Sequence, residues 1–342
     1  MKTGIVKDLR YLAHDMGPDH VESPRRLEAI YKMIEEEIAF PLTVIEPRPA
    51  TEAEIGYIHH PAYVQFIKQT AGRDRVYLDP DTSTSARSYE TALLAAGGLL
   101  KAADLIMDGK IQNGFALVRP PGHHAESDHP KGFCIFNNVA IAAEYLVRKY
   151  GLKRILIADW DLHHGNGTQN AFYSRNDVLF FSTHQFPYYP GSGYWDEIGE
   201  EAGKGFTVNV PLSPGKTDED YLFIYKKILG PIAAAYKPEF ILVSAGFDIY
   251  AGDPLGGMLV TGEGFGALAA SLLSMAGDQA QGRILFTLEG GYSLEGLADG
   301  VHEVLLQLAA RKTPPAIKAD VSAAAQKEIS PVSDVQKNYW PL

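Results

Sequence analysis

Short apolar runs rich in branched residues alternate along this chain with longer stretches whose apolar positions recur at helical spacing. Residues 115–118, 178–181, 240–244 and 284–288, with the run that begins at Ile155, have the length and branching of buried strands. Between them, 89–108, 137–150, 221–236, 264–276 and 294–310 read as helices, the first so rich in Ala and Leu that much of its surface should be buried. Upstream, residues 1–50 combine a strand-like start with a helix that Ser23 caps and Pro24 opens. Residues 51–71 are also helical, with a boundary at His59-His60-Pro61 because proline disfavours helix at the residue before it. Such alternation implies right-handed crossovers and an α/β fold with a mostly parallel central sheet and helices on both faces. No repeat or linker interrupts it before Arg311, so 1–311 is read as a single domain. Residues 312–342 are read as a tail, extended or docked, aperiodic until its aromatic end at Tyr339-Trp340.

Composition narrows the classes. At 342 residues, 46% hydrophobic and 21% charged, the chain can bury a sizeable core. A net charge of -11 argues against direct nucleic-acid binding and leaves room for a cationic substrate. The single cysteine, Cys134, excludes an internal disulfide and points to a reducing compartment. No signal-peptide core or membrane-length apolar run is present, so a cytoplasmic location is expected, with no membrane partner and a homo-oligomer left open.

The chemistry gathers just after the strands: His123 and His124, Asp159, Asp161 and His163, Ser182, Asp248, and Tyr292. In an open parallel sheet the C-terminal strand ends share one crevice, so these residues converge without further assumption. Alternate residues project to the same side, which makes Asp161 and His163 natural co-ligands of one cation, with Asp159 pointing the same way. Singly, Asp248 reads as a cap, His163 as a loop histidine and Tyr292 as packing; their joint occurrence is what argues for a site. Two carboxylates and an imidazole (Asp161, His163, Asp248) leave coordination open, as in catalytic rather than structural zinc sites, although Fe2+, Co2+ or Mn2+ would accept the same donors. Such a cation acidifies water, a neighbouring histidine shuttles its proton, and a tyrosine hydroxyl steadies an oxyanion. Together they specify hydrolysis of an amide or ester.

Five segments then carry a resemblance: Arg119-Pro-Pro-Gly-His-His-Ala, Gly132-Phe-Cys-Ile-Phe-Asn-Asn, Asp159-Trp-Asp-Leu-His-His-Gly-Asn-Gly-Thr-Gln, Gly246-Phe-Asp and Glu289-Gly-Gly-Tyr. In kind and order they resemble the zinc-dependent histone deacetylase family, nearest its class II and bacterial amidohydrolase branch, over about residues 14–310. The resemblance implies an arginase-like α/β fold and removal of acetyl groups from N-acetyl-lysine in peptides or proteins, or from acetylated polyamines. It implies Zn2+ on Asp161, His163 and Asp248, His124 as general base and acid, His123 as an electrostatic partner, and Tyr292 as the carbonyl-polarising hydroxyl. Gly132, Phe133 and Tyr189 match the substrate channel, and Leu255 stands at the rim where a polyamine-selective relative has an acidic residue. Asp159, Asp161, His163, Ser182 and Thr183 match a monovalent cation site, usually K+, partly through main-chain carbonyls. Asp159 is thereby assigned to His123 and that ion rather than to the zinc, and His164 to a supporting role. Arg26 matches an arginine of an internal acetate-release channel, which would account for a cation in the first turn of a helix, where the dipole opposes it. Two departures stand out. His20-Val21-Glu22 has valine where proline is commoner, and Asn166 replaces an aspartate behind the base, so His124 is expected to stay neutral near pH 7. A different class remains, a non-catalytic acyl-lysine-binding protein, against which the presence of Tyr292 argues.

Overall fold

A computed structural model describes residues 2–316 and 321–342. Its strands are β1 (Thr3–Val6), β2 (Thr43–Ile45), β3 (Val76–Tyr77), β4 (Ser83–Thr84), β5 (Asn113–Ala116), β6 (Ile155–Asp159), β7 (Val178–Gln185), β8 (Thr207–Leu212), β9 (Phe240–Ala245) and β10 (Ile284–Leu288). Eight form one sheet in the order β2-β1-β5-β10-β9-β6-β7-β8, and β3 with β4 makes a small antiparallel ribbon. Every pairing in the large sheet is parallel. All residues of β5, β6, β7, β9 and β10 are buried. A strand covered on both faces needs no polar alternation, which is why these five were legible as plain apolar runs. In this sheet the pattern misses two strands, β2 and β8, and they are its edges. β2 is only three residues long and mostly exposed, while β8 carries Asn209 and Pro211, and proline is tolerated only where one strand face lacks a partner.

Helices depart from the expected spans for local reasons. The 51–71 segment splits into Glu52–Ile55 and Pro61–Lys68, and the His60 ring accepts the Ala62 N–H as the second cap. The 221–236 helix starts at Asp218 and passes through a π-turn at Tyr225–Leu229 before resuming at Gly230–Tyr236. The Gly-Asn-Gly turn after His164 opens a short helix, Asn166–Phe172. The tail contains a helix expected from no periodicity, Ala323–Gln336, packed on β8. Its buried positions, Ala325, Ile329, Val332 and Gln336, do keep helical spacing, but the internal Pro331 and the polar Gln336 obscure it. Residues 317–320 of the tail lie outside the described residues.

The strand order decides where the site falls. Leaving β5, the chain skips two positions to β6, and β9 and β10 later fill the gap. The C-terminal ends of β5, β10, β9 and β6 therefore meet at the centre of the sheet, where a switch in winding direction opens a crevice.

Candidate active site

Asp161 and His163 leave the end of β6 and Asp248 the end of β9, and one donor atom from each lies within 4.8 Å of the others. His163 Nδ1 sits 3.2 Å from Asp161 Oδ1 and 3.1 Å from Asp248 Oδ2. Main-chain donors hold both carboxylates from behind: Gly290 N–H to Asp161 Oδ2 at 2.8 Å, and Leu162 N–H to Asp248 Oδ1 at 2.8 Å. One imidazole nitrogen carries at most one proton and cannot satisfy both carboxylates facing it. Burial and the nearby Asp161 charge push the Asp248 carboxyl up to about 7, the response of acids brought together without a full counter-charge. Two oxygen donors and one nitrogen donor converging in a buried pocket suit a divalent cation of the zinc type, with coordination left for water and substrate.

Beside this group, from the loop after β5, lie His123 and His124, their ring centroids 4.0 Å apart. The loop is pinned by Glu289 at the end of β10, whose Oε2 accepts the N–H groups of Gly122 (2.7 Å) and His123 (3.2 Å). Asp159 Oδ2 lies 3.0 Å from His123 Nδ1. Burial opposes charge on His123, but the carboxylates of Asp161 and Asp159 overcome it and push its pKa up to about 10. His124 differs: burial, then the charges on His123 and His163, push it well below the usual imidazole value. Its Nδ1–H donates to Asn166 Oδ1 at 2.8 Å, which leaves Nε2 as the acceptor. The two adjacent imidazoles are thus set apart, His123 raised by the Asp161 and Asp159 carboxylates and His124 lowered by burial and by its two histidine neighbours.

His123, His124 and His163 line a cavity of about 250 Å³ with Gly132, Phe133, Cys134, Tyr188, Tyr189, Leu255 and Tyr292. Tyr189 meets the His124 ring edge-on at 5.2 Å, and Phe133 meets Tyr292 at 5.9 Å. Phe133 holds a left-handed backbone (φ 69°), a conformation a bulky residue seldom adopts, with its N–H on Thr82 Oγ1 at 3.0 Å. Tyr292 is fixed through its main chain, its N–H and that of Ser293 donating to Asp253 Oδ2 at 2.7 and 2.9 Å. Behind it, Arg26 is fully buried, with Nε on Gly291 O at 2.7 Å, Nη2 on Glu289 O at 2.5 Å and Nη1 on Glu22 Oε1 at 3.2 Å. The Arg26 guanidinium lies 5.1 Å from the centre of the Tyr292 ring.

On the other side of β6, Ser182 is the register partner of Asp159, and the Ser182 hydroxyl is paired with His184 Nδ1 at 2.9 Å. Thr183, the next residue of β7, is also buried. His164 turns away from the cavity to Ser192 Oγ (2.8 Å) and Gln169 Oε1 (3.0 Å). Of the residues singled out from the sequence, His123, His124, Gly132, Phe133, His163, Tyr189, Leu255 and Tyr292 line the cavity. Asp161 and Asp248 meet His163, Asp159 meets His123 and Asn166 meets His124. Arg26, in the helix Arg25–Glu37, and the Ser182–Thr183 pair, within β7, are not on its wall. Sequence reasoning did not single out Glu289, Asp253 and Glu126 as side chains with work to do, nor Tyr188, whose ring stacks on His163 at 5.8 Å. Glu289 closes the same strand as Tyr292, and that position was a signal available in the chain.

Residues 20–308 match the histone deacetylase domain. The chain is 41% identical over 299 residues to a probable deacetylase of Archaeoglobus fulgidus, covering 86% of this chain and 83% of that protein. It is 40% identical over 344 residues to the polyamine deacetylase HDAC10 of Mus musculus, covering 94% of this chain and 50% of that protein. It spans about half the length of several such relatives, among them histone deacetylase HDA1 of Candida albicans, of which 44% is matched. Among solved structures, the HDA15 HD domain superposes with a TM-score of 0.94 at 38% identity, over 100% of this chain and 97% of that one. The chain belongs to the histone deacetylase family.

Proposed function

We propose that this protein is a zinc-dependent deacylase that hydrolyses N-acetyl-lysine side chains of peptides or proteins. One observation carries the reading: Asp161, His163 and Asp248 bring donor atoms within 4.8 Å of one another, and His163 shares a cavity wall with His124 and Tyr292. When bound by those three residues, Zn2+ supplies Lewis acidity. His124, its Nδ1 proton held by Asn166, offers Nε2 to take a proton from the attacking water and return it to the leaving amine. His123, whose pKa the Asp161 and Asp159 carboxylates raise, adds positive charge beside the developing oxyanion. Burial pushes the Tyr292 hydroxyl pKa well above its usual value, so it stays protonated and can donate to that oxygen. Phe133 and Tyr189 flank the extended aliphatic arm of the substrate, Gly132 lets the wall approach it, and Arg26 serves a path for released acetate. Asp159, Asp161, His163, Ser182 and Thr183 hold K+, a role supported by the side-by-side register of Asp159 and Ser182.

An acetylated polyamine is the second substrate class, favoured by the likeness to a polyamine deacetylase and by Asp81 on the cavity wall. Leu255, apolar and half-buried at the same wall, favours lysine. No helix among the described residues is long and apolar enough to cross a membrane.

Turnover of an acetyl-lysine peptide, acetylputrescine and acetylspermidine, with and without chelator, tests the reading. Peptide turnover should dominate, vanish with chelator, and fall by about 10²-fold or more in Tyr292→Phe, the usual cost of losing one oxyanion donor. Activity indifferent to both treatments would refute it.

A further inference from the structure

Asn166 can present either its carbonyl or its amide to His124, and the two ends differ little in size. Which one faces the histidine decides which imidazole nitrogen carries the proton. Presenting Oδ1 demands Nδ1–H and leaves Nε2 basic; presenting the amide demands the opposite tautomer. Something must therefore choose the rotamer. Glu126, two residues beyond His124 and half-buried, accepts Asn166 Nδ2–H on Oε1 at 2.5 Å. The remaining Nδ2 proton reaches His124 O at 3.2 Å. Glu126 is itself fixed: Asn170 Nδ2 donates to both its carboxylate oxygens at 2.9 and 3.1 Å, and the buried His59 Nδ1–H donates to its main-chain carbonyl at 2.8 Å. A carboxylate accepts and never donates, so the flipped Asn166 would set its carbonyl oxygen against that charge.

We propose that Glu126 is the positioning residue for His124, acting through Asn166: it locks the amide and thereby the tautomer that leaves Nε2 free. The proposal rests on the reading of His124 as the base. It accounts for how a neutral amide serves where a carboxylate would do the same work alone; the negative charge is present but moved one hydrogen bond away, where it orients the amide without drawing a proton onto the imidazole.

The test is a set of kcat and KM measurements on the zinc-loaded full chain with an acetyl-lysine peptide, with metal content measured for each variant. Glu126→Leu should lower kcat about tenfold, a share of the roughly 10²–10⁴ that a placed general base contributes, with KM and zinc content unchanged. Glu126→Gln, which keeps an acceptor oxygen, should retain most of kcat. Asn166→Asp should be impaired because two carboxylates then abut, and adding Glu126→Gln should raise its kcat, the opposite sign to that change in the native background. Multiplicative effects, or native kcat in Glu126→Leu, would overturn the proposal. Native kcat in His124→Ala would instead overturn the base assignment itself, so the two failures are distinguishable.

Discussion

A methyl group on Gly246 would lie within the Asp161 carboxylate, and one on Gly290 would overlap Asp248 Oδ2. At these two positions the absence of a side chain is a steric requirement of the carboxylate pair. Gly246→Ala is expected to push Asp161 off its bond to Gly290 N–H and to cut both zinc content and activity by about tenfold or more, the scale of losing support behind a ligand. Metal analysis beside circular dichroism checks it; an inactive variant with full zinc and native spectra would contradict it. In the sequence both glycines appeared only as members of short motifs. The Asp161 and Asp248 carboxylates that demand them come from other strands, and no local pattern encodes that approach.

At the scale of elements, the tail helix Ala323–Gln336 closes an edge. β8 is the last strand of the sheet, and an uncovered edge strand is a template for pairing with another chain. The helix packs against it, Gln336 Nε2 donates to Thr207 O at 2.8 Å, and buried Lys216 pairs with Glu328 at 3.2 Å. Past the helix, the Trp340 ring packs on Phe206 and Tyr236 at 5.3 and 6.0 Å while its Nε1–H donates to Gly205 O at 2.7 Å. Trp340→Ala should cost about 1–3 kcal/mol, less than a fully buried aromatic because the ring is only partly covered. Urea unfolding measures it: the midpoint should drop with the slope unchanged, and an unmoved midpoint would show that the aromatic end contributes nothing. The aromatic end was visible in the chain as a reason to dock. Its partner was not, because Phe206 and Tyr236 lie more than a hundred residues away in sequence.

At the scale of the whole molecule, Glu22 joins distant segments behind the site. Its carboxylate pairs with Arg119 beyond β5 and Arg26 in the first helix, and His14 Nε2 approaches it at 3.5 Å, all four fully buried. Burial opposes ionisation of Glu22, but the Arg119 charge and its hydrogen bonds, with His14 close by, hold its pKa well below the usual carboxylate range. A depressed folded-state pKa contributes stability above the unfolded value of about 4.3 and loses it as pH falls through the folded value. The protein should accordingly lose stability progressively below about pH 4.3, with His14, whose burial lowers its own pKa, adding loss from about 6.5 downward. Glu22→Gln should destabilise the fold by about 3–5 kcal/mol at pH 7, because Arg119 is left buried and unpaired, and should flatten the acid limb. Unfolding midpoints from pH 3 to 7 check both signs; an unchanged acid slope in the variant would show that Glu22 titrates normally.

The sequence by itself determined the parallel α/β class, five of the buried strands, and the residue types at the ends of the central ones. Apolar runs and strand-end polarity are local signals, and the rule that parallel strands share one crevice turned them into a single site. Only the tertiary structure decided which groups touch. It showed that Gly290 and Leu162 amides brace the two carboxylates, that Glu289 pins the His123 loop, and that Glu126 stands behind Asn166. It also decided the sheet edges and the course of the tail. Those features depend on contacts between segments far apart in the chain, formed at distances of a few ångströms, and periodicity along one segment carries no information about them.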